Sequence, residues 1–120
     1  MKRAGTVMLR VVTLLVTVAM VGPGVQKFTG PTWQRMFRVW GYPEHFYLVI
    51  GTIEVLAGIG LLMPRLASAC AVVLMIVMAG AAATHLLHGQ DPTGDCVFFL
   101  LLGIVAYGRW PGVLMRLRRV

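Results

Sequence analysis

Gly51-Thr-Ile-Glu54-Val55-Leu-Ala-Gly58-Ile-Gly60 places a single acid near the middle of an apolar run that extends from His45 to Met63. A charge at the centre of a bilayer costs about 2.5 to 3.5 kcal/mol on insertion scales, so a carboxylate in such a run marks a candidate functional site. Gly51, Glu54, Val55 and Gly58 follow i, i+3, i+4, i+7 spacing and share one helical stripe. Glycines at this spacing let a neighbouring backbone approach closely, which predicts that the stripe of Gly51, Gly58 and Gly60 is a helix-packing face turned toward protein.

Working outward, three further apolar blocks flank the first, giving expected spans over about residues 10–28, 45–63, 66–87 and 95–110. Most are near the 20-residue length, roughly, that crosses a bilayer. The chain of 120 residues is 58% hydrophobic, and no alternating strand pattern runs through it. The expected fold is therefore all-α: a single membrane domain, a bundle of four transmembrane helices, in which every backbone group is satisfied within its own helix. The run from Val11 to Val21 behind Lys2 and Arg3 has the outline of a signal peptide but a poor cleavage pattern, and reads as a retained helix with a kink at Pro23.

The net charge of +7 invites a nucleic-acid reading, but the placement of the charges opposes it. Lys2, Arg3, Arg65, Arg109, Arg116, Arg118 and Arg119 fall on one side of a four-span arrangement, whereas Lys27, Arg35 and Arg38 on the other side are offset by Glu44, Asp91 and Asp95. A Lys/Arg excess marks cytoplasmic loops, so both termini are expected in the cytoplasm of a multi-pass protein of the cell membrane. The tail from Val113 to Val120 then lies on the anionic leaflet, and the partner is the lipid bilayer, not nucleic acid.

Between the first two spans, Trp33, Met36, Phe37 and Trp40 occupy one face of a helix over residues 31–40, and Gln34, Arg35 and Arg38 the other. This is the pattern of a short interfacial helix seated at the headgroup boundary, an anchor or lid. In the third span, the small residues Ala79 to Thr84 predict close packing in the outer half, which would draw His85 toward the first two helices. The polar connection from His88 to Asp95 turns the chain at the outer surface, with Asp95 or Thr93 as a cap for the last helix and Tyr107, Arg109 and Trp110 as its inner anchors.

Three polar residues are candidates for one ligand-binding cluster: Lys27, Glu54 and His85. Lys27, near the outer end of its span, either snorkels to the headgroups or turns inward as the partner of Glu54, though an ideal helix leaves about 13 Å between their depths. A buried Lys–Glu pair either fixes helix register or exchanges protons with a bound molecule such as a quinone head group. His45, His85, His88, Asp91 and Asp95 all fall on the outer side, but a hydrated polar loop explains them better than a metal site, and no metal is assigned. Cys70 and Cys96 lie at opposite depths, beyond disulfide reach, and no Cys-x-x-Cys is present.

The set formed by Gly22, Lys27-Phe-Thr-Gly30, Gly41-Tyr-Pro43, Gly51-Thr-Ile-Glu54, Gly58-Ile-Gly60 and His85 resembles the DoxX-like family of small membrane proteins. The resemblance implies a four-helix bundle and suggests association with thiosulfate-to-quinone electron transfer or other membrane redox complexes. On that expectation the chain is a redox-associated subunit, with no intrinsic cofactor, that binds a quinone or lipid-like molecule and takes electrons from a membrane or soluble redox partner. Self-association is open on the same footing, and any enzymatic role would be as an accessory subunit of an oxidoreductase. The alternative is a structural or assembly module whose polar cluster only holds the bundle together.

Overall fold

A computed structural model describes residues 2–110, except for the side chain of Lys2, as five helices with no strand among them. The expected tail over Val113 to Val120 lies outside the described residues. Helix α1 spans Lys2–Gln26, α2 Thr32–Val39, α3 Phe46–Gly60, α4 Ala67–Leu87 and α5 Thr93–Gly108. Two helical stretches, Arg3–Gln26 and Ala67–Leu87, are long and apolar enough to cross a bilayer. Helices α3 and α5 are apolar but shorter, at 15 and 16 residues. The first helix begins well before the expected Arg10 and stays helical across Pro23, with Lys27 N–H closing onto the Pro23 carbonyl at 3.1 Å.

The four long helices alternate in direction and pack in the cyclic order α1, α3, α4, α5, with α5 returning to α1 and α2 resting on α3. Val16, Leu61, Leu74, Leu102 and Val105 are fully buried where the helices meet. The outward faces stay apolar on each of the four long helices, as at Val18, Leu56, Ile76 and Leu100, each more than 60% exposed. Soluble monomers rarely leave so continuous an apolar surface uncovered.

Glycine makes the α1–α3 contact possible. A Cβ on Gly24 would lie 3.1 Å from the Gly51 carbonyl oxygen, and one on Gly51 would lie 3.1 Å from the Gly24 carbonyl oxygen. The two backbones touch reciprocally. Gly58 is closed off by Val21 at 2.7 Å and Gly60 by the Cys70 sulfur, so the stripe expected from the sequence packs on α1 at its upper part and on α4 at its foot.

The outer half of α4 departs from the expectation of close packing. Ala67, Ser68, Ala71 and Leu74 are buried in its first half, against Met78 and Thr84 in its second, and Ser68 donates to the Ala106 carbonyl at 2.9 Å. Farther along, a Cβ on Gly80 would meet nothing within 4 Å. Small side chains there do not draw the helices together; they leave room, and the space is a cavity.

Candidate functional site

The cavity has a volume of about 540 Å³ and lies beneath α2, walled by α1, α3, α4 and α5. Its lining is mostly apolar and aromatic, including Phe37, Trp40, Phe46 and Phe98, with its lysine, carboxylates and histidine in two polar pairs. Cavities of this size and character are typical of small-molecule sites.

The first pair joins α1 to α3. Lys27 Nζ lies 3.0 Å from Glu54 Oε1 and donates a 3.1 Å hydrogen bond to Oε2, and the two residues are only 3% and 5% exposed. The depth difference expected from the sequence vanishes because of the glycine contact. Lys27 Cβ sits 2.9 Å from where a Gly51 Cβ would be, so the lysine starts level with Gly51, one helical turn or about 4.5 Å from Glu54. Its side chain turns inward and does not snorkel.

The lid completes this pair. Trp33 lies over the Lys27 ammonium, 3.9 Å from Nζ to the ring centroid, a cation–π contact that shields the charge from above. The aromatic face of α2 thus packs onto the protein beneath it. Phe37 is buried and packs against Trp33, Trp40, Tyr42, Phe46 and Tyr47. Gly30 and Gly41, at φ 120° and 86°, make the turns at either end of α2 in a region that side-chain-bearing residues rarely adopt.

The second pair joins α4 to α5. His85 Nδ1 is in close contact with Asp95 Oδ2. The expected cluster is therefore divided: Lys27 and Glu54 meet, while His85 lines the same cavity with a different partner. Asp95 is not the cap of α5; Asp91 serves the first turn instead, accepting from Thr93 N–H at 2.9 Å and from its hydroxyl at 2.5 Å. A carboxylate against Nδ1 fixes the imidazole and leaves Nε2 as its other proton site. Trp40 closes edge-on against the His85 ring at 5.5 Å and donates from Nε1 to Gln90 at 3.1 Å, and the Tyr42 hydroxyl bonds to that of Thr84.

Sequence reasoning missed Gly24, Trp33, Tyr42 and Asp95 as parts of this site. One signal was available. Gly24-x-x-Lys27 in α1 repeats the spacing of Gly51-x-x-Glu54 in α3, placing a glycine one turn before each charge so that two antiparallel helices can bring the charges together. Among the described residues no group of three or more His, Cys, Asp or Glu is placed to hold a metal ion, and His88 Nδ1 is in hydrogen-bond contact with the Thr84 carbonyl at 2.8 Å.

The model of the DoxX-like family matches residues 11–108, which takes in most of α1, all of α3, α4 and α5, the lid and both polar pairs. The chain belongs to the DoxX-like family. No curated protein and no solved structure matches it. Family membership together with two long apolar helices and apolar outer faces makes this DoxX-like chain a membrane protein.

Proposed function

We propose that this DoxX-like protein is a four-span membrane protein whose cavity binds a small amphipathic molecule of quinone or lipid-like kind, in association with a redox partner that supplies electrons. The observation that carries this reading is the buried Lys27–Glu54 pair set into the wall of a cavity that is otherwise apolar and aromatic. A flat, apolar head group with carbonyl oxygens fits such a lining. The Lys27 ammonium has a donor left for a ligand oxygen after serving both Glu54 oxygens, and the His85–Asp95 pair provides a second proton-handling group in the same space. Four spans are favoured because α3 and α5 pack between the two longer helices in a closed ring and expose apolar faces as those do. The excess of Lys and Arg expected at the end opposite α2 favours a cytoplasmic orientation for both termini.

The ligand is tested on protein extracted in mild detergent. Copurifying molecules are identified by mass spectrometry, and a short-chain quinone is titrated while tryptophan fluorescence is followed. Saturable quenching that weakens at least tenfold in the Lys27→Met/Glu54→Gln double variant supports the reading. If nothing copurifies and no quenching occurs in a well-folded sample, the alternative of a structural or assembly module stands, since a mutually satisfied ion pair also fixes the register of α1 on α3. Topology is tested by cysteine labelling after replacement of Cys70 and Cys96. A cysteine at Gln90 reacts with an impermeant reagent in intact cells, and one at Arg65 does not; the reverse pattern refutes the assigned orientation.

A further inference from the structure

At the end of the bundle opposite the lid, a second recess of about 250 Å³ lies between α1, the turn joining α3 to α4, and the end of α5. Two arginines line it, Arg10 from α1 and Arg109 just beyond α5. Arg109 donates from an Nη to the buried Thr13 hydroxyl at 3.4 Å, and that hydroxyl in turn donates to the Leu9 carbonyl at 2.6 Å. Arg109 Nε is buried and has no hydrogen-bond partner among the described residues.

No acidic side chain answers these two cations. The chain has four acidic residues, and all are engaged elsewhere, toward the lid: Glu54 with Lys27, Asp95 with His85, Asp91 with Thr93, and Glu44 beside His45. Two guanidiniums in one recess, one with a buried unpaired N–H, are a receptor lacking its anion. Planar guanidinium donors suit phosphate oxygens.

The remaining walls say what the anion is attached to. Leu14, Leu61, Leu62, Pro64 and Ala67 complete the recess, and Leu14 and Leu62 are 57% and 52% exposed, continuing onto the outer apolar surface. We infer that Arg10 and Arg109, with Thr13, bind the phosphate of an anionic phospholipid whose acyl chains lie against Leu14 and Leu62. A basic pocket between helices at the cytoplasmic face is a recurrent form of lipid head-group site.

The full chain is reconstituted in phosphatidylcholine nanodiscs carrying increasing phosphatidylglycerol, and lipids retained after detergent extraction are counted by native mass spectrometry. The wild type retains phosphatidylglycerol in preference to phosphatidylcholine. Arg10→Gln and Arg109→Gln each lower that preference about fivefold, the effect of one basic residue near an anionic surface. Arg65→Gln, an exposed arginine at the same end outside the recess, leaves it unchanged. Arg10 is exposed, so its variant reports even if Arg109→Gln folds poorly. Equal retention in the Arg10, Arg65 and wild-type proteins overturns the proposal. So does saturable binding of inorganic phosphate in pure phosphatidylcholine discs without any preference for phosphatidylglycerol, since that outcome assigns the recess to a free anion.

Discussion

Lys27 and Glu54 are bonded across α1 and α3 at 3.0 and 3.1 Å, and they can be so because Gly24 and Gly51, one turn earlier in each helix, bring the two backbones into contact. Each charge compensates the other's desolvation. Removing one leaves its partner buried and alone, which costs about 3 to 5 kcal/mol, whereas removing both spares that cost. Glu54→Gln and Lys27→Met are each expected to destabilise the bundle in denaturant titration, and the double variant to recover most of the loss. The coupling energy from the cycle is expected to exceed about 1 kcal/mol; strictly additive losses would show that the contact carries no energy.

The glycine contact makes a separate prediction about shape. Gly51→Ala sets a methyl 2.9 Å from Lys27 Cβ and 3.1 Å from the Gly24 carbonyl, atoms that cannot move aside without shifting α1. Overpacking of this kind costs about 1 to 3 kcal/mol. Gly22→Ala, two residues from Gly24 but with nothing within 4 Å, is expected to be neutral or to stabilise by up to about 1 kcal/mol through helix propensity. Thermal melts in one detergent compare the two directly.

Tyr42 ties the lid end to α4 through Thr84. Tyr42→Phe removes that bond, but Thr84 keeps its own bond to the Gly80 carbonyl at 2.9 Å, so the stability loss is expected to be modest, about 1 kcal/mol. The larger effect is expected in hydrogen exchange, where α2 amides should exchange faster than those of α3. Unchanged protection of α2 would mean that the aromatic packing around Phe37 holds the lid without this tie.

Asp91 gives a pH dependence outside the membrane-spanning helices. Its hydrogen bonds from the Thr93 hydroxyl and amide lower its pKa from the ordinary 3.8. The sign follows: a carboxylate whose folded pKa is depressed contributes fully above its unfolded pKa, and the contribution is lost as pH falls through the lower, folded value. The Thr93 amide resonance of the wild type is expected to titrate with a midpoint below 3.8, and that of Asp91→Asn to lose the step.

Much of the bundle was legible because a bilayer imposes long apolar runs, and the Gly51 to Gly60 stripe marked its own packing face. The pairing of Lys27 with Glu54 was legible as a choice between two orientations, but not as a distance, because counting residues from the ends of two spans ignores how far the helices slide past each other. That slide is set by Gly24, which read as part of an interruption at Pro23. The inward turn of the aromatic face of α2 was not legible for a different reason. Trp33 and Phe37 satisfy the same amphipathic pattern whether they face headgroups or protein, and only the cavity left by the small residues of α4 decides between the two. His85 found Asp95 instead of Glu54 because α4 packs more extensively on α5 than on α3, and His85 and Glu54 both line the cavity without meeting.

The mutual compensation of Lys27 and Glu54 has an electrical consequence. In an energised bilayer a lone elementary charge feels about 2.3 kcal/mol per 100 mV across the full membrane, so an unpaired carboxylate here would couple the stability of the bundle to voltage. Held 3.0 Å apart, the two opposite charges sit at nearly one depth and the field's work on them cancels to first order. A neutral guest can then enter or leave the cavity at the same equilibrium in a polarised and a depolarised membrane, and only an event that protonates Glu54 or strips the proton from Lys27 would register as movement of charge.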